Sequence, residues 1–340
     1  MRRTVRWLSC LASAVAACGP SPNPLSRIER LSVPTITDST RTFQQPIFGE
    51  LPATAAYDLL EAWGDTQDAA AVEQAILDRG SDVRLSELSL SAPKPYQYTD
   101  HVFGYIAPPQ SDAAPPSLPV VDAHSISPDL SLVNAALRIT LDRLRVYDYP
   151  GGGIHHVLFD FSADHQATTD QKETPHFNHT YRVQEGGQAG ISGYPIFVGL
   201  RAGSQGIHFA ASTVNVKNDD DQRFLGFVSS DLFKGGLKLL SGINPAVPVV
   251  AGFVQGIAEG IATRNNNQPM QDVYLGLDFE TVASRAKLRV GTYVAIQVPS
   301  AAAWDWTKWQ FSFANGQLVS AANASEPVPF NYFVVSISKM

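Results

Sequence analysis

Short runs in which apolar residues alternate with polar ones fill the chain beyond Leu130, and this pattern restricts the fold more than any other feature. The clearest runs are Leu137-Ile139-Leu141, Val157-Phe159-Phe161 and Val214-Val216. Runs rich in β-branched and aromatic residues follow at Val273–Phe279, Leu288–Val298, Trp304–Phe313 and Tyr332–Ile337. Side chains of a strand alternate between its two faces, so a period of two indicates half-buried strands. The sequence therefore predicts a mainly β fold, an antiparallel β-sandwich over residues 130–340.

The region before this sandwich is predicted to form a small helical segment over residues 54–106. Apolar residues in Thr54–Asp82 recur at spacings of three and four, with a break at Gly64-Asp65, which is typical of two short amphipathic helices. The second helix is expected to end at Gly80. A Pro- and Ala-rich stretch then predicts a linker over residues 107–129. We expect the helices to cover an edge or a face of the sandwich.

A further helix is predicted late in the sandwich, over Ala246–Arg264. Gly252, Gly256 and Gly260 recur every fourth residue and would share one helix face. No charged residue occurs from Leu239 to Ala258, so contact with a membrane is an alternative to burial against the sandwich. Small residues at this spacing permit close packing in both settings, and both interpretations stay open.

The first residues have the pattern of an export signal that ends at a cysteine. Three arginines precede an uncharged stretch, Trp7–Ala17, that is too short to span a bilayer. The run Val15-Ala16-Ala17-Cys18 resembles the lipobox of bacterial lipoproteins. This resemblance implies removal of residues 1–17 as a signal peptide, attachment of fatty acids such as palmitate to Cys18, and a location in the cell envelope. Gly19 in the next position implies the outer membrane, where the host has one.

The cysteine count agrees with a lipid anchor. Cys10 and Cys18 are the only cysteines of the chain, so cleavage would leave Cys18 without a disulfide partner in the mature protein. Acylation gives this cysteine a use, because each buried CH₂ contributes about 0.8 kcal/mol to membrane binding. An ordinary signal peptide cut near a cysteine is the alternative. The Pro-rich residues 18–53 are expected to form a stalk and an extended segment.

The mature chain is acidic. Removal of the signal takes away three of the 25 basic residues and none of the 32 acidic ones, so the formal net charge changes from −7 to −10. This charge is unfavourable for nucleic-acid binding. The partners that we expect are the membrane, reached through the lipid anchor, and an envelope protein, a lipid or a glycan.

Three pieces between Leu137 and Gly226 resemble, in order, the calcium- and phospholipid-binding conserved-2 domain of protein kinase C and the synaptotagmins. They are Leu137–Leu144 as a first strand, Pro175–Tyr181 as a turn into an aromatic strand, and Val214–Asp221 as an acidic third loop. The resemblance implies a calcium site ligated by Asp148, Asp219, Asp220 and Asp221. The chain departs from the family near His155-His156, where a second carboxylate of the first loop is expected. A solvated acidic turn at 218–221 is the alternative.

Histidines offer a different metal site. His156, His176 and His179 could bind zinc, which would activate a water molecule. His155 and His156 are adjacent and would point to opposite faces of a strand, so only one of them could join such a cluster. Surface and turn histidines are the alternative. A zinc site would make the chain an exported metal-dependent hydrolase that uses the His155–His179 region.

Trp304 and Trp306 are predicted to share one strand face. Exposed, they could stack on a sugar ring or lie at a membrane interface, and buried, they would belong to the core. The sequence contains no Gly-x-Ser-x-Gly motif and no phosphate-binding glycine loop between a strand and a helix. The leading hypothesis is a membrane-tethered, non-enzymatic binding or structural module, with the zinc hydrolase as the alternative.

Overall fold

Helices come first in the described part of the chain and strands follow. The computed structural model describes residues 45–92, 94–109, 116–168, 171–217, 222, 267–280 and 285–340. These residues belong to one compact unit that spans Pro34–Met340. Cys18, Asp219–Asp221 and the helix predicted over 246–264 lie outside the described residues, so what the sequence implies for them stays a prediction. The helices are α1 (Ala53–Ala62) and α2 (Thr66–Arg79), and short 3-10 turns lie at Phe48–Glu50, Leu85–Glu87, Pro95–Gln97, Leu130–Leu132 and Trp306–Lys308.

The two helices begin and end where local signals place them. Between them, Gly64 has a φ of 75°, and the Asp65 carboxylate caps α2 by accepting a hydrogen bond from Asp68 N. α2 ends at Gly80, whose φ of 99° strongly favours glycine. The predicted break and the predicted end are both confirmed. Within the described ranges, no helix is long and apolar enough to cross a membrane.

The described residues form sixteen strands in three sheets. The strands are β1 (Asp100–Ile106), β2 (Ser117–Pro119), β3 (Val121–Asp122), β4 (Ala136–Val146), β5 (Ile154–Thr168), β6 (Gln171–Glu173), β7 (His176–Gln184), β8 (Gly187–Gln188), β9 (Tyr194–Arg201), β10 (Gly206–Val216), β11 (Asn267–Asp278), β12 (Ala286–Lys287), β13 (Gly291–Val298), β14 (Trp309–Ser312), β15 (Gln317–Ser320) and β16 (Tyr332–Lys339). The central sheet has the order β3-β1-β13-β16-β4-β8, and β9 also pairs with β4. The outer sheet has the order β12-β11-β10-β5-β6, and β7 also pairs with β5. The small sheet has the order β15-β14-β2.

The main core lies between the central and outer sheets. Phe159 of β5 meets Phe333 of β16 edge to face, with 5.3 Å between ring centroids. Phe161 contacts Phe197 of β9 at 5.9 Å. The residues that the alternating pattern predicted to face the core are all buried: Leu137, Ile139, Leu141, Val157, Phe159 and Phe161. Nearly all strand pairs are antiparallel, with β11–β12 parallel, so the predicted antiparallel β-sandwich is confirmed.

The second face of the central sheet is buried against the small sheet. Val294 and Ile296 of β13 and Tyr332 and Val334 of β16 point to this side and are fully buried. The cluster that they join also contains Ile106, Val120, Val298, Trp306, Phe311, Leu318 and Val328. Because both faces of β13 and β16 are covered, their sequences read as nearly continuous apolar runs instead of alternating ones.

Residues before 130 also contribute strands to the sheets. Strand β1 pairs with β13 from Asp100 to Ile106, and β2 pairs with β14. The sequence pattern had predicted residues 100–106 as part of the helical segment and residues 117–119 as part of the linker, so both predictions are wrong. Strand β1 could not be predicted from alternation. Its first four residues are exposed or half-buried, and its three buried residues, Gly104, Tyr105 and Ile106, are consecutive.

Replacement of Gly104 by Ala is expected to lower the free energy of unfolding by about 1–3 kcal/mol, through overpacking. A Cβ atom at this position would lie 2.5 Å from Val120 Cγ1 and 2.7 Å from Trp306 Cη2. The matched control is Gly190→Ala, where an added Cβ meets no heavy atom within 4 Å. Urea unfolding of the two variants measures the difference, and equal midpoints would contradict the close packing of β1 on Trp306.

Candidate functional site

The loop that joins β4 to β5 is one place where the helical segment meets the sandwich. We call residues 147–153 the glycine loop, because Gly151, Gly152 and Gly153 have φ angles of 89°, 50° and 77°. Three successive residues in the left-handed region favour glycine strongly. The loop therefore turns tightly and presents its backbone groups to neighbouring side chains.

A charged contact, the Lys94 bridge, links the helical segment to this loop. Lys94 Nζ lies 3.2 Å from Asp68 Oδ1 and 3.3 Å from Asp148 Oδ2. The Tyr96 hydroxyl donates to Asp68 Oδ2 at 2.5 Å. Asp68 and Asp148 are 7% and 8% exposed. One ammonium group is thus shared by two buried carboxylates, which leaves negative charge in excess.

The pKa values at the Lys94 bridge follow from this imbalance. Burial raises the pKa of Asp148 to about 6, although Lys94 opposes the rise. Carboxylates of Glu185 and Asp68 add to the rise. Burial by itself would lower the pKa of Lys94, but Asp148 and Asp68 outweigh burial and raise it. The bridge therefore keeps Lys94 as an ammonium group and brings Asp148 close to protonation in mildly acidic solution.

Two buried amides fix the backbone beside Asp148. Asn331 Oδ1 accepts hydrogen bonds from Tyr147 N at 2.8 Å and from Asp148 N at 3.1 Å. Asn331 Nδ2 donates to Asp148 O and to Gln297 Oε1, both at 3.1 Å. Gln297 Nε2 donates in turn to Tyr98 O at 2.6 Å. Both amides are 0% exposed, so this network ties the glycine loop to β13 and to the end of the helical segment inside the protein.

Carboxylates also bind the amides of the glycine loop. Asp65 Oδ2 accepts from Gly151 N at 2.8 Å, and Glu185 Oε2 accepts from Gly153 N at 3.1 Å. Lys217 Nζ lies 3.5 Å from Gly151 O. Burial lowers the pKa of Lys217, while Asp65 and Glu185 act to raise it. The loop is therefore held from the helical segment, from the turn after β7 and from the end of β10.

His155 lies inside the sandwich directly after the glycine loop. Its side chain is 0% exposed, and its ring meets that of Tyr149 edge to face at 5.7 Å. In the part of the chain that the structure describes, neither ring nitrogen has a hydrogen-bond partner. Burial is the main cause that lowers the pKa of His155 to about 4; the charge of Lys217 acts in the same direction, and the Asn215 side chain opposes the shift. His155 is therefore neutral at physiological pH.

The inner side of the glycine loop is anchored next to His155. The Tyr149 hydroxyl shares a hydrogen bond with Thr213 Oγ1 at 2.8 Å, and Asn215 Nδ2 donates to Pro150 O at 3.1 Å. Tyr149, His155, Thr213 and Asn215 are all buried. A change of charge at His155 would therefore act directly on the residues that hold the loop.

Of the four residues implied as calcium ligands, the structure describes only Asp148. Its carboxylate contacts Lys94, so the described partner of this side chain is an ammonium group. Lys217, which immediately precedes the acidic stretch 218–221, lies against Gly151 of the same loop. Because Asp219, Asp220 and Asp221 lie outside the described residues, the calcium site stays a prediction.

The proposed zinc ligands lie on neighbouring strands but do not converge. His176 and His179 are three residues apart in β7 and point to opposite faces. His156 pairs with Arg182, six residues further along β7 than His176, a separation of about 20 Å at strand spacing. His176 instead lies beside Asp160, with 3.7 Å between Nδ1 and Oδ2. Among the described residues, no group of three or more His, Cys, Asp and Glu could hold a metal ion.

Trp304 and Trp306 do not share a strand face, contrary to the expectation. Trp306 begins a 3-10 turn, and Trp304 lies in the loop before it. Trp306 is 8% exposed and belongs to the core between the central and small sheets. Trp304 is half-buried and stacks on Trp309 at 5.6 Å, with 11° between the ring planes. Trp306 thus belongs to the core, which was the alternative to ligand binding. A ligand-stacking role of Trp304 stays a prediction.

Sequence reasoning missed most of the residues around the glycine loop. Asp68 and Lys94 had no visible signal, because their pairing with Asp148 spans distant parts of the chain. The buried amides did leave a signal: Gln297 interrupts an apolar run in β13, and Asn331 directly precedes one in β16. A polar residue inside an apolar run is buried with its neighbours and therefore requires hydrogen-bond partners.

A scan against protein-family models and searches of curated proteins and of solved structures found no match to this chain.

Proposed function

We propose that the protein is an exported lipoprotein whose β-sandwich serves as a membrane-tethered, non-enzymatic binding or structural module. The observation that carries this proposal is the run Val15-Ala16-Ala17-Cys18 after a basic head and a short apolar stretch. A Pro-rich stretch separates Cys18 from the described domain, as expected for a stalk between a lipid anchor and a folded module.

The contacts at the glycine loop support a structural role for its charged residues. Lys94 is shared by Asp68 and Asp148, and the loop amides of Gly151 and Gly153 bind carboxylates of the same chain. Separation of the two parts of the fold would take Lys94 away from the buried carboxylates, and an uncompensated buried charge is costly. We therefore assign the Lys94 bridge to the docking of the helical segment on the sandwich.

Replacement of Cys18 by Ser is expected to abolish incorporation of an alkyne-labelled palmitate probe. It should also leave unprocessed precursor, because cleavage at a lipobox requires the cysteine. The matched control is Cys10→Ser, which alters the other cysteine of the chain, within the apolar stretch. The measurement is in-gel fluorescence of the probe in cells that express each variant. Equal labelling of the parent and Cys18→Ser would refute the anchor, and so would loss of labelling in Cys10→Ser alone.

A further inference from the structure

Two arginines of β4, which we call the arginine pair, point towards the small sheet. Arg143 pairs with Val334 of β16, and Arg145 pairs with Tyr332. Paired residues of adjacent strands share one face of a sheet, and Val334 and Tyr332 are on the face that the small sheet covers. Burial raises the pKa of the Tyr332 hydroxyl, and the amide of Leu318 and the charges of both arginines oppose the rise. Both guanidinium groups therefore lie near one point on this face.

The described contacts of the arginine pair are with uncharged oxygens. Arg145 Nη1 donates to Gln317 Oε1 at 3.4 Å, and in the described part of the chain Arg145 Nε has no acceptor. Arg143 donates to three backbone carbonyl oxygens at 2.6–2.8 Å, those of Asp142, Ile191 and Gly316. Among the residues that the structure describes, no carboxylate forms an ion pair with either arginine. The pair thus carries two positive charges without a described counter-charge.

Burial makes the charge of Arg145 unusual. Its side chain belongs to a residue that is only 4% exposed, and buried charges in proteins are normally paired with an opposite charge. The Tyr147 ring lies with its centroid 5.8 Å from Arg145 Cζ. A ring against the guanidinium face leaves the N–H groups at the edge, where they form a planar fork that fits two oxygens of one anion.

Exposed residues border the arginine pair on one side. Gln188 of β8 pairs with Arg145 on the edge of the central sheet and is exposed. Gln188 Nε2 donates to Asn315 O at 3.4 Å, and Asn315 is also exposed. Arg143 itself is half-buried. A ligand from solvent would therefore approach the pair between β8 and the turn that joins β14 to β15.

We propose that the arginine pair is a binding site for a phosphate group, either inorganic phosphate or a phosphomonoester. Arg145 would bind two phosphate oxygens through the edge of its guanidinium group, and Arg143 would supply the second positive charge. Two guanidinium charges without a carboxylate match a dianion better than a monoanion. The proposal rests on the binding module proposed above, because it names the ligand of that module, but all of its residues lie outside the lipid anchor.

Isothermal titration of the full chain in detergent tests the site at pH 8 and constant ionic strength. The probes are inorganic phosphate and glycerol 3-phosphate, which both carry about two negative charges there. We expect saturable binding of one equivalent with a Kd below about 1 mM. The probe that binds more tightly shows whether the site prefers inorganic phosphate or a phosphomonoester. Acetate, a monoanion, should bind at least about tenfold more weakly.

Replacement of Arg145 by Gln should raise the Kd for the better probe by about 10- to 100-fold, because it removes charge-assisted hydrogen bonds. Arg145→Lys keeps the charge but loses the planar fork, so it should raise the Kd by about tenfold. The matched control is Arg138→Gln, at an exposed arginine of the same strand, which should leave the Kd within about twofold. If Arg145→Gln does not fold, Arg145→Lys decides.

Three results would overturn the proposal: no saturable phosphate binding to the parent, acetate binding as tightly as phosphate, or a Kd that Arg145→Gln and Arg145→Lys leave unchanged. An equal loss of affinity in Arg138→Gln would also overturn it, because binding would then reflect the general surface charge. These titrations do not involve Cys18. Absence of palmitate labelling would therefore refute the anchor without altering the result for the arginine pair.

Discussion

Replacement of Lys94 by Met is expected to lower the free energy of unfolding by about 2–4 kcal/mol at pH 8, less than for a fully buried pair because the Lys94 side chain is 28% exposed and water screens part of its charge. The substitution removes the ammonium group and keeps most of the aliphatic stem. It leaves Asp68 and Asp148 buried without the cation that they share. Breaking a buried ion pair by removing one partner has this large cost because the remaining charge stays uncompensated. Urea unfolding measures the effect.

The cost of Lys94→Met should depend on pH. Without Lys94, the pKa of Asp148 should rise above its present value of about 6, so the carboxyl group becomes neutral in mild acid. The loss of stability should therefore shrink by pH 5. The matched control is Lys308→Met, at an exposed lysine, which should change the free energy of unfolding by less than about 0.5 kcal/mol. A cost of Lys94→Met that equals this control, or that is the same at pH 5 and pH 8, would contradict the assigned bridge.

Replacement of Asn331 by Ala is expected to lower the free energy of unfolding by about 3–5 kcal/mol. Four hydrogen bonds are lost, to Tyr147 N, Asp148 N, Asp148 O and Gln297 Oε1. Each buried polar group left without a partner costs about 1–3 kcal/mol, and local relaxation reduces the total. Because three of these groups belong to the glycine loop, amide hydrogen exchange should also rise at Tyr147 and Asp148.

Two further measurements check the Asn331 prediction. Asn315→Ala, at an exposed asparagine, is the matched control and should leave both stability and exchange unchanged. If Asn331→Ala lowers stability without faster exchange at Tyr147 and Asp148, the amide contributes to the core but does not hold the glycine loop. If stability does not change, the buried network is wrongly assigned.

The parts of the fold that sequence reasoning predicted depend on neighbouring residues. The break between α1 and α2 follows from Gly64 and the capping carboxylate of Asp65. The inward faces of β4 and β5 follow from alternation, since a strand with one buried face must repeat every two residues. Where both faces are buried, as in β13 and β16, the alternation disappears. The sequence then shows an apolar run but does not show which side chains point to which face. Strand β1 was missed because its exposed and half-buried residues come first and its buried residues are consecutive, so its burial does not alternate.

The mainly β character and the ends of the helices could be predicted from the sequence, since each depends on residues close together along the chain. The lipobox resemblance at Cys18 is equally local and stays a prediction. The sharing of Lys94 by Asp68 and Asp148, and the position of His155 in the field of Lys217, became visible only in the fold. Burial and electrostatic interaction depend on distance in space, and these partners come from distant parts of the chain. The sequence does not show whether a metal ion, water or a lysine compensates the charge of a carboxylate such as Asp148. The groups that surround the carboxylate in the fold determine this.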